Sequence, residues 1–256
     1  MEPAPRTARA TILMLVFAVF GVAGLAAFTM EPMVATVTPS GAPSGAPSGE
    51  GSIATFHFRN EGSEPIAIRM KVLTRALRPD GTEENNPADA SFEIYPERLA
   101  LEPGASAVVK LRYTGSDKID RELPFRFVAE QVPVDFGASG GSGIKVLFRY
   151  VASLYVGLPS FKPSIAVSAR PDKGPGGKAG FSIEIRNEGT RHAVVTGLSV
   201  ELALADGSLL ALSEADLKAL SDLNYLPGTS RRVFVPDGRA SQGGSCDVRS
   251  HFELED

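Results

Sequence analysis

FHFRNEGSEPIAI, residues 56–68, has a second version further along the chain: IEIRNEGTRHAVV, residues 183–195. Both begin with alternating apolar and polar residues, pass through an Arg-Asn-Glu-Gly turn and resume with an apolar run. Alternation with period 2 puts one set of side chains on each face of a strand, so each stretch reads as two strands joined by a turn. Further echoes follow in the same order. RPDG, residues 78–81, matches LADG, residues 204–207, and LEPGASAVVKL, residues 101–111, matches YLPGTSRRVFV, residues 225–235. The paired positions Asn60 and Asn187, Gly81 and Gly207, and Gly104 and Gly228 lie 127, 126 and 124 residues apart. Three echoes at a nearly constant offset indicate two copies of one β-sandwich unit.

The rest of the chain fits this arrangement. Short alternating strands are punctuated by turn residues, with 26 Gly and 19 Pro among 256 residues. The exception is LSEADLKALSD, residues 212–222, whose spacing predicts one short helix. Before the strands, residues 12–28 are apolar, preceded by Arg6 and Arg9 and ending in small residues. This is the pattern of a secretory signal peptide, residues 1–27, with an uncleaved membrane anchor as the alternative. SGAPSGAPSGEG, residues 40–51, can bury nothing and reads as a flexible insert. The expected organisation is all-β, with two tandem immunoglobulin-like β-sandwich domains, residues 28–158 and 159–256, after the signal segment.

Several functions are disfavoured. The net charge of −4 argues against a nucleic-acid partner. Cys246 is the only cysteine, so the chain can form no internal disulfide. His57, His192 and His251 are scattered, without metal-ligand spacing, and no nucleophile elbow, phosphate loop or dinucleotide fingerprint is present. No catalytic residue, metal site or cofactor is expected.

GIKVLFRYVASLYVGL, residues 143–158, is a long apolar strand pattern interrupted by Lys145 and Arg149. On its own it reads as one more strand of the first sandwich, with Ile144, Val146 and Phe148 on one face.

Three segments resemble the periplasmic pilus-assembly chaperones, the PapD-like family of chaperone–usher systems. They are FEIYPERLALEPGASAVVKLRYTG at 92–115, DRELPFRFVAEQVP at 120–133 and RYVASLYVGLP at 149–159. The resemblance implies that the last strand of the first domain, G1, is lent to a pilus subunit lacking its own final strand. Main-chain hydrogen bonds then give affinity and alternate side chains fill the subunit groove. The implied donor residues are Ile144, Val146 and Phe148. Burying each is worth about 1.5–3 kcal/mol, a large share of the roughly 12 kcal/mol of a nanomolar complex.

The resemblance also implies a basic pair that anchors the subunit's terminal carboxylate, and here the chain departs from the pattern. The G1 position holds Ser153, and the first strand, FTMEPMVATVTPSG at 28–41, has no basic residue. Lys145 and Arg149 share the face of Ser153 and are the candidates to substitute. Glu122 is the implied hinge charge, but its expected basic partner falls at Gly157. The implied partners are a pilin-like or spore-coat-type subunit and an outer-membrane usher, in the periplasm of a Gram-negative envelope. The competing reading is a structural or adhesive cell-envelope protein whose sandwiches act as spacers.

Overall fold

The computed structural model describes residues 28–39, 52–78, 80–133, 146–242 and 246–255. The signal segment, the 40–51 insert, Ile144 and Lys145 lie outside the described residues. The first half contains β1 (Thr29–Glu31), β2 (Val34–Val37), β3 (Ile53–Arg59), β4 (Ile66–Thr74), β5 (Ala76–Leu77) and β6 (Glu83–Glu84). It continues through β7 (Phe92–Tyr95), β8 (Arg98–Leu101), β9 (Ser106–Tyr113), β10 (Leu123–Val132) and β11 (Arg149–Val156). The second half contains β12 (Ile165–Lys173), β13 (Ala179–Asn187), β14 (Ala193–Ala203), β15 (Leu209–Ala211) and the helix α1 (Glu214–Leu217). It closes with β16 (Leu223–Tyr225), β17 (Ser230–Pro236) and β18 (Asp247–Glu255).

These strands form two tandem immunoglobulin-like sandwiches. In the first, a sheet ordered β1-β3-β9-β7 faces one ordered β2-β11-β10-β4-β8. Alternation explains the facing. β3 buries Ala54, Phe56 and Phe58 and exposes the residues between them, including His57. From the opposite sheet come Ile66, Ile68, Met70 and Val72 of β4 and Phe125, Phe127 and Ala129 of β10. Phe56 stacks on Phe127 across the layers at 4.3 Å. In the second sandwich, β12-β13-β17 packs against a sheet built on β14, with β15 and β16 along one edge and β18 along the other. Its separate core gathers Phe181, Ile183, Ile185, Val195, Val200, Leu202, Tyr225 and Val235.

The sequence repeat has a specific physical basis. Asn60 and Asn187 are both 0% exposed. The Asn60 Nδ2 donates to the carbonyls of Glu64 and Leu101, and its Oδ1 accepts from the Gly62 N–H. Asn187 repeats this pattern with the carbonyls of Arg191 and Tyr225 and the Gly189 N–H. The main chains of the two residues also bond alike, to Gly104 and Ala105 in one domain and to Gly228 and Thr229 in the other. Gly104 and Gly228 have φ of 72° and 76°, a region that costs a side-chain-bearing residue energy. Each domain thus pins the turn after one strand to the turn before another through a single buried amide.

The predicted helix forms only one turn. Ser213 caps it in a capping box with Asp216, and Leu217 and Leu220 anchor it to the second core. Beyond that turn, Asp222 adopts a positive φ and donates its N–H to the Val195 carbonyl, which directs the chain into β16 instead.

Candidate partner-binding strand and domain junction

β11 pairs along its whole length with β10, from Arg149 opposite Glu130 to Val156 opposite Leu123. Its inner face contributes Ala152, Leu154 and Val156 to the first core. Its other edge is covered only in part. β2 runs parallel to it from Val34 opposite Ser153 to Val37 opposite Val156, and the Ser153 N–H donates to the Met33 carbonyl. Among the described residues no strand pairs with that edge between Arg149 and Ala152. Exposed apolar side chains border this open stretch: Met33, Val34, Val146, Leu147 and Val151.

The strand is shorter than its sequence pattern suggests. Residues 146–148 precede the ladder, although the Gln131 N–H still donates to the Phe148 carbonyl. Of the expected donor residues, Val146 is 55% exposed, whereas Phe148 is half-buried against the first core. Arg149 is exposed at the start of β11.

A cationic group does meet Ser153, but from the neighbouring strand. Arg126 of β10 lies opposite Ser153 in register, and its Nη1 donates to the Ser153 Oγ at 2.8 Å. The remaining guanidinium donors hold the Glu83 carboxylate, Nε at 2.8 Å and Nη2 at 2.6 Å. Arg75 approaches the same carboxylate with Nε at 3.0 Å and donates through Nη1 to the Tyr155 hydroxyl. Burial by itself would raise the Glu83 carboxyl. The Arg126 hydrogen bonds and the charges of Arg126 and Arg75 outweigh it and hold the group at about 2.

This shift has a consequence for acid stability. A carboxyl depressed on folding contributes stability above its unfolded value, near 4.5, and loses it as pH falls towards 2. With solvent screening the contribution is about 1–2 kcal/mol. Urea unfolding at pH 5 and pH 3 is expected to show a larger loss in wild type than in Glu83→Gln. Equal losses would mean that the ion pair does not stabilise the fold.

The same face leads to the second domain. The Tyr155 hydroxyl also accepts from Asn224 Nδ2 at 2.7 Å. The Tyr155 ring stacks on the His192 imidazole at 3.7 Å with 10° between planes. Glu122, 3% exposed, meets His192, 4% exposed, with Oε1 2.6 Å from Nδ1 and 3.1 Å from the His192 backbone N–H. The Glu122 N–H donates to the Thr190 carbonyl. Gly157 lies beside this pair, and a Cβ there would stand in ordinary contact with Glu122 Cγ at 3.4 Å. The partner of Glu122 therefore comes from the second domain, not from the strand position where a basic residue was expected. Sequence reading also missed Arg75, Glu83 and Arg126. The available signal was an arginine inside the otherwise apolar LPFRFV, residues 123–128, opposite a serine that lacks the expected charge.

No family model matches the sequence, and no curated protein matches it either. Solved structures do match. The class 5 fimbriae chaperone CfaA superposes with a TM-score of 0.56 at 15% identity, covering 90% of this chain and 92% of that one. The fold is that of the fimbrial chaperones. A chaperone–tip adhesin complex of CFA/I fimbriae gives 0.54 at 16% identity, over 83% and 91% of the two chains. The CsuC–CsuE chaperone–tip adhesion subunit pre-assembly complex of Acinetobacter baumannii gives 0.52 at 10% identity, over 82% and 91%. Each of these matches covers more than four-fifths of this chain.

Proposed function

We propose that this protein is a divergent periplasmic chaperone of the chaperone–usher type. It lends β11 and the residues before it to an incomplete pilin-like or spore-coat-type subunit, holds that subunit soluble and passes it to an outer-membrane usher. The supporting observation is the edge of β11 between Arg149 and Ala152, which no strand pairs on one side among the described residues and which exposed Val34, Val146, Leu147 and Val151 border. An open edge beside apolar side chains is suited to strand addition, with the main chain giving affinity and alternate side chains giving fit. On this reading Ile144, Val146 and Phe148 are the donor side chains, with Phe148 shared between the subunit groove and the first core. Lys145, Arg149 and, nearer Ser153, Arg126 are the cations available to a subunit carboxylate. Glu122 fixes the hinge.

Val146→Asp is the informative variant because Val146 is exposed and its replacement leaves the core intact. Burying an unpaired carboxylate in an apolar groove costs several kcal/mol. The variant is expected to keep its circular dichroism and thermal transition while losing a small β-rich partner that co-purifies with wild type. A folded Val146→Asp protein that retains the partner would place the binding surface elsewhere.

A further inference from the structure

VLFRYVA, residues 146–152, comprises the open edge of β11 and the residues leading into it. It holds one charge, Arg149, with three uncharged residues on either side. An apolar segment of this length and high strand propensity is a hazard where its edge is free, because a second copy can pair with it. Val146, Leu147 and Val151 are exposed and would be covered by such pairing.

The direction of the main-chain groups sets how two copies would meet. The Phe148 carbonyl accepts from the Gln131 N–H of β10, whereas the Ser153 N–H donates to Met33 on the other side. Alternate residues of a strand send their N–H and C=O to opposite sides. Arg149 and Val151 therefore turn theirs to the open edge, while Tyr150 and Ala152 bond to β10. Two antiparallel copies would exchange bonds between these outward-turned residues. Ser153 is already held by β2, so the register that uses all of 146–152 in both copies is centred on residue 149. Leu147 then faces Val151 on each side of the two-fold axis, an apolar match. At the centre, Arg149 faces Arg149.

The charge of this arginine is not neutralised within its own sheet. Glu130 lies opposite Arg149 in β10, but its carboxylate is taken by Arg69 at 2.6 Å and Lys71 at 2.9 Å. Like charges directly opposite in a strand pair are destabilising. We propose that Arg149 bars a second copy of this chain from the open edge of β11, which stays free for a strand carrying no cation opposite Arg149. The inference needs only the open edge, and it stands whether or not that edge is lent to a subunit.

Sedimentation velocity of the full chain, with no partner present, tests this. Arg149 is exposed, so its replacement leaves the core intact, and circular dichroism verifies that. Arg149→Thr is expected to self-associate about tenfold more tightly than wild type, and Arg149→Lys no more tightly. Salt at about 1 M, which shortens the screening length to about 3 Å, should narrow the gap between wild type and Arg149→Thr. Wild type mixed with Arg149→Glu should form the mixed dimer more tightly than either forms with itself, because the facing charges are then opposite. An Arg149→Thr protein that associates no more tightly than wild type, or a mixture without preference for the mixed pair, would overturn the proposal. So would an Arg149→Thr dimer that survives the added change Val151→Asp, since it would use another surface. If Arg149→Thr misfolds, the mixture decides alone.

Discussion

Asn187→Ala is expected to destabilise the second domain by about 3–5 kcal/mol, with little effect on the first. The amide makes side-chain bonds to the Arg191 and Tyr225 carbonyls and accepts from the Gly189 and Ser164 N–H groups, in a site with no solvent exposure. Alanine removes all of these partners at once and admits too little water to replace them. Each buried backbone group left unpaired costs about 1–3 kcal/mol. Against a total domain stability of about 5–15 kcal/mol, that is a large fraction. Asn60→Ala should do the same to the first domain. Urea unfolding followed by tyrosine fluorescence and by proteolysis will assign each loss to its domain. A shift below about 1 kcal/mol in either variant would show that the turns hold without their amides.

The second large effect is expected at the junction. His192→Ala leaves the Glu122 carboxylate buried with one backbone N–H in place of two donors, and it removes the ring stacked on Tyr155. Truncating one member of a buried polar pair costs about 3–5 kcal/mol when nothing replaces it, and the retained N–H lowers this to about 2–4 kcal/mol here. The loss falls on the contact between domains. Small-angle scattering should therefore show a wider spread of domain angles while each sandwich keeps its own unfolding transition. His192→Phe separates the contributions, since it keeps a stacking ring but no donor. An unchanged scattering profile for His192→Ala would mean that other contacts set the angle.

The two-sandwich fold was legible because its turns demand particular residues. An asparagine that bonds three backbone groups and a glycine with positive φ tolerate few substitutes, so the pattern is visible at 60–62 and again at 187–189. The core faces were legible for a similar reason, as alternation alone puts Phe56 and Phe58 inward and His57 outward. The site was less so. Whether β11 has a free edge depends on where β2 begins, which no property of residues 149–152 encodes. An apolar Phe148 does not state which groove covers it, and in the structure it is partly buried against its own core. Glu122 and His192 are 70 residues apart on different domains, and local sequence carries no trace of their meeting. Arg126 reads as an outward-facing charge until the strand register sets it against Ser153.

The parallel pairing of β2 with β11 joins residues 119 positions apart, Val34 with Ser153. A chain emerging from its amino end presents β2 long before β11 exists, so the strand has no seat in its sheet until nearly all of the first domain has appeared. The cost of closing so long a loop must be met before the contact can reward it. The last strand to arrive is therefore the one that completes the first sandwich, and until then the apolar residues of β2 and β10 are open to passing chains. Nascent molecules of this protein should need protection of their own up to about residue 156, and stalled chains ending before Arg149 should be far more prone to proteolysis than those ending after Leu158.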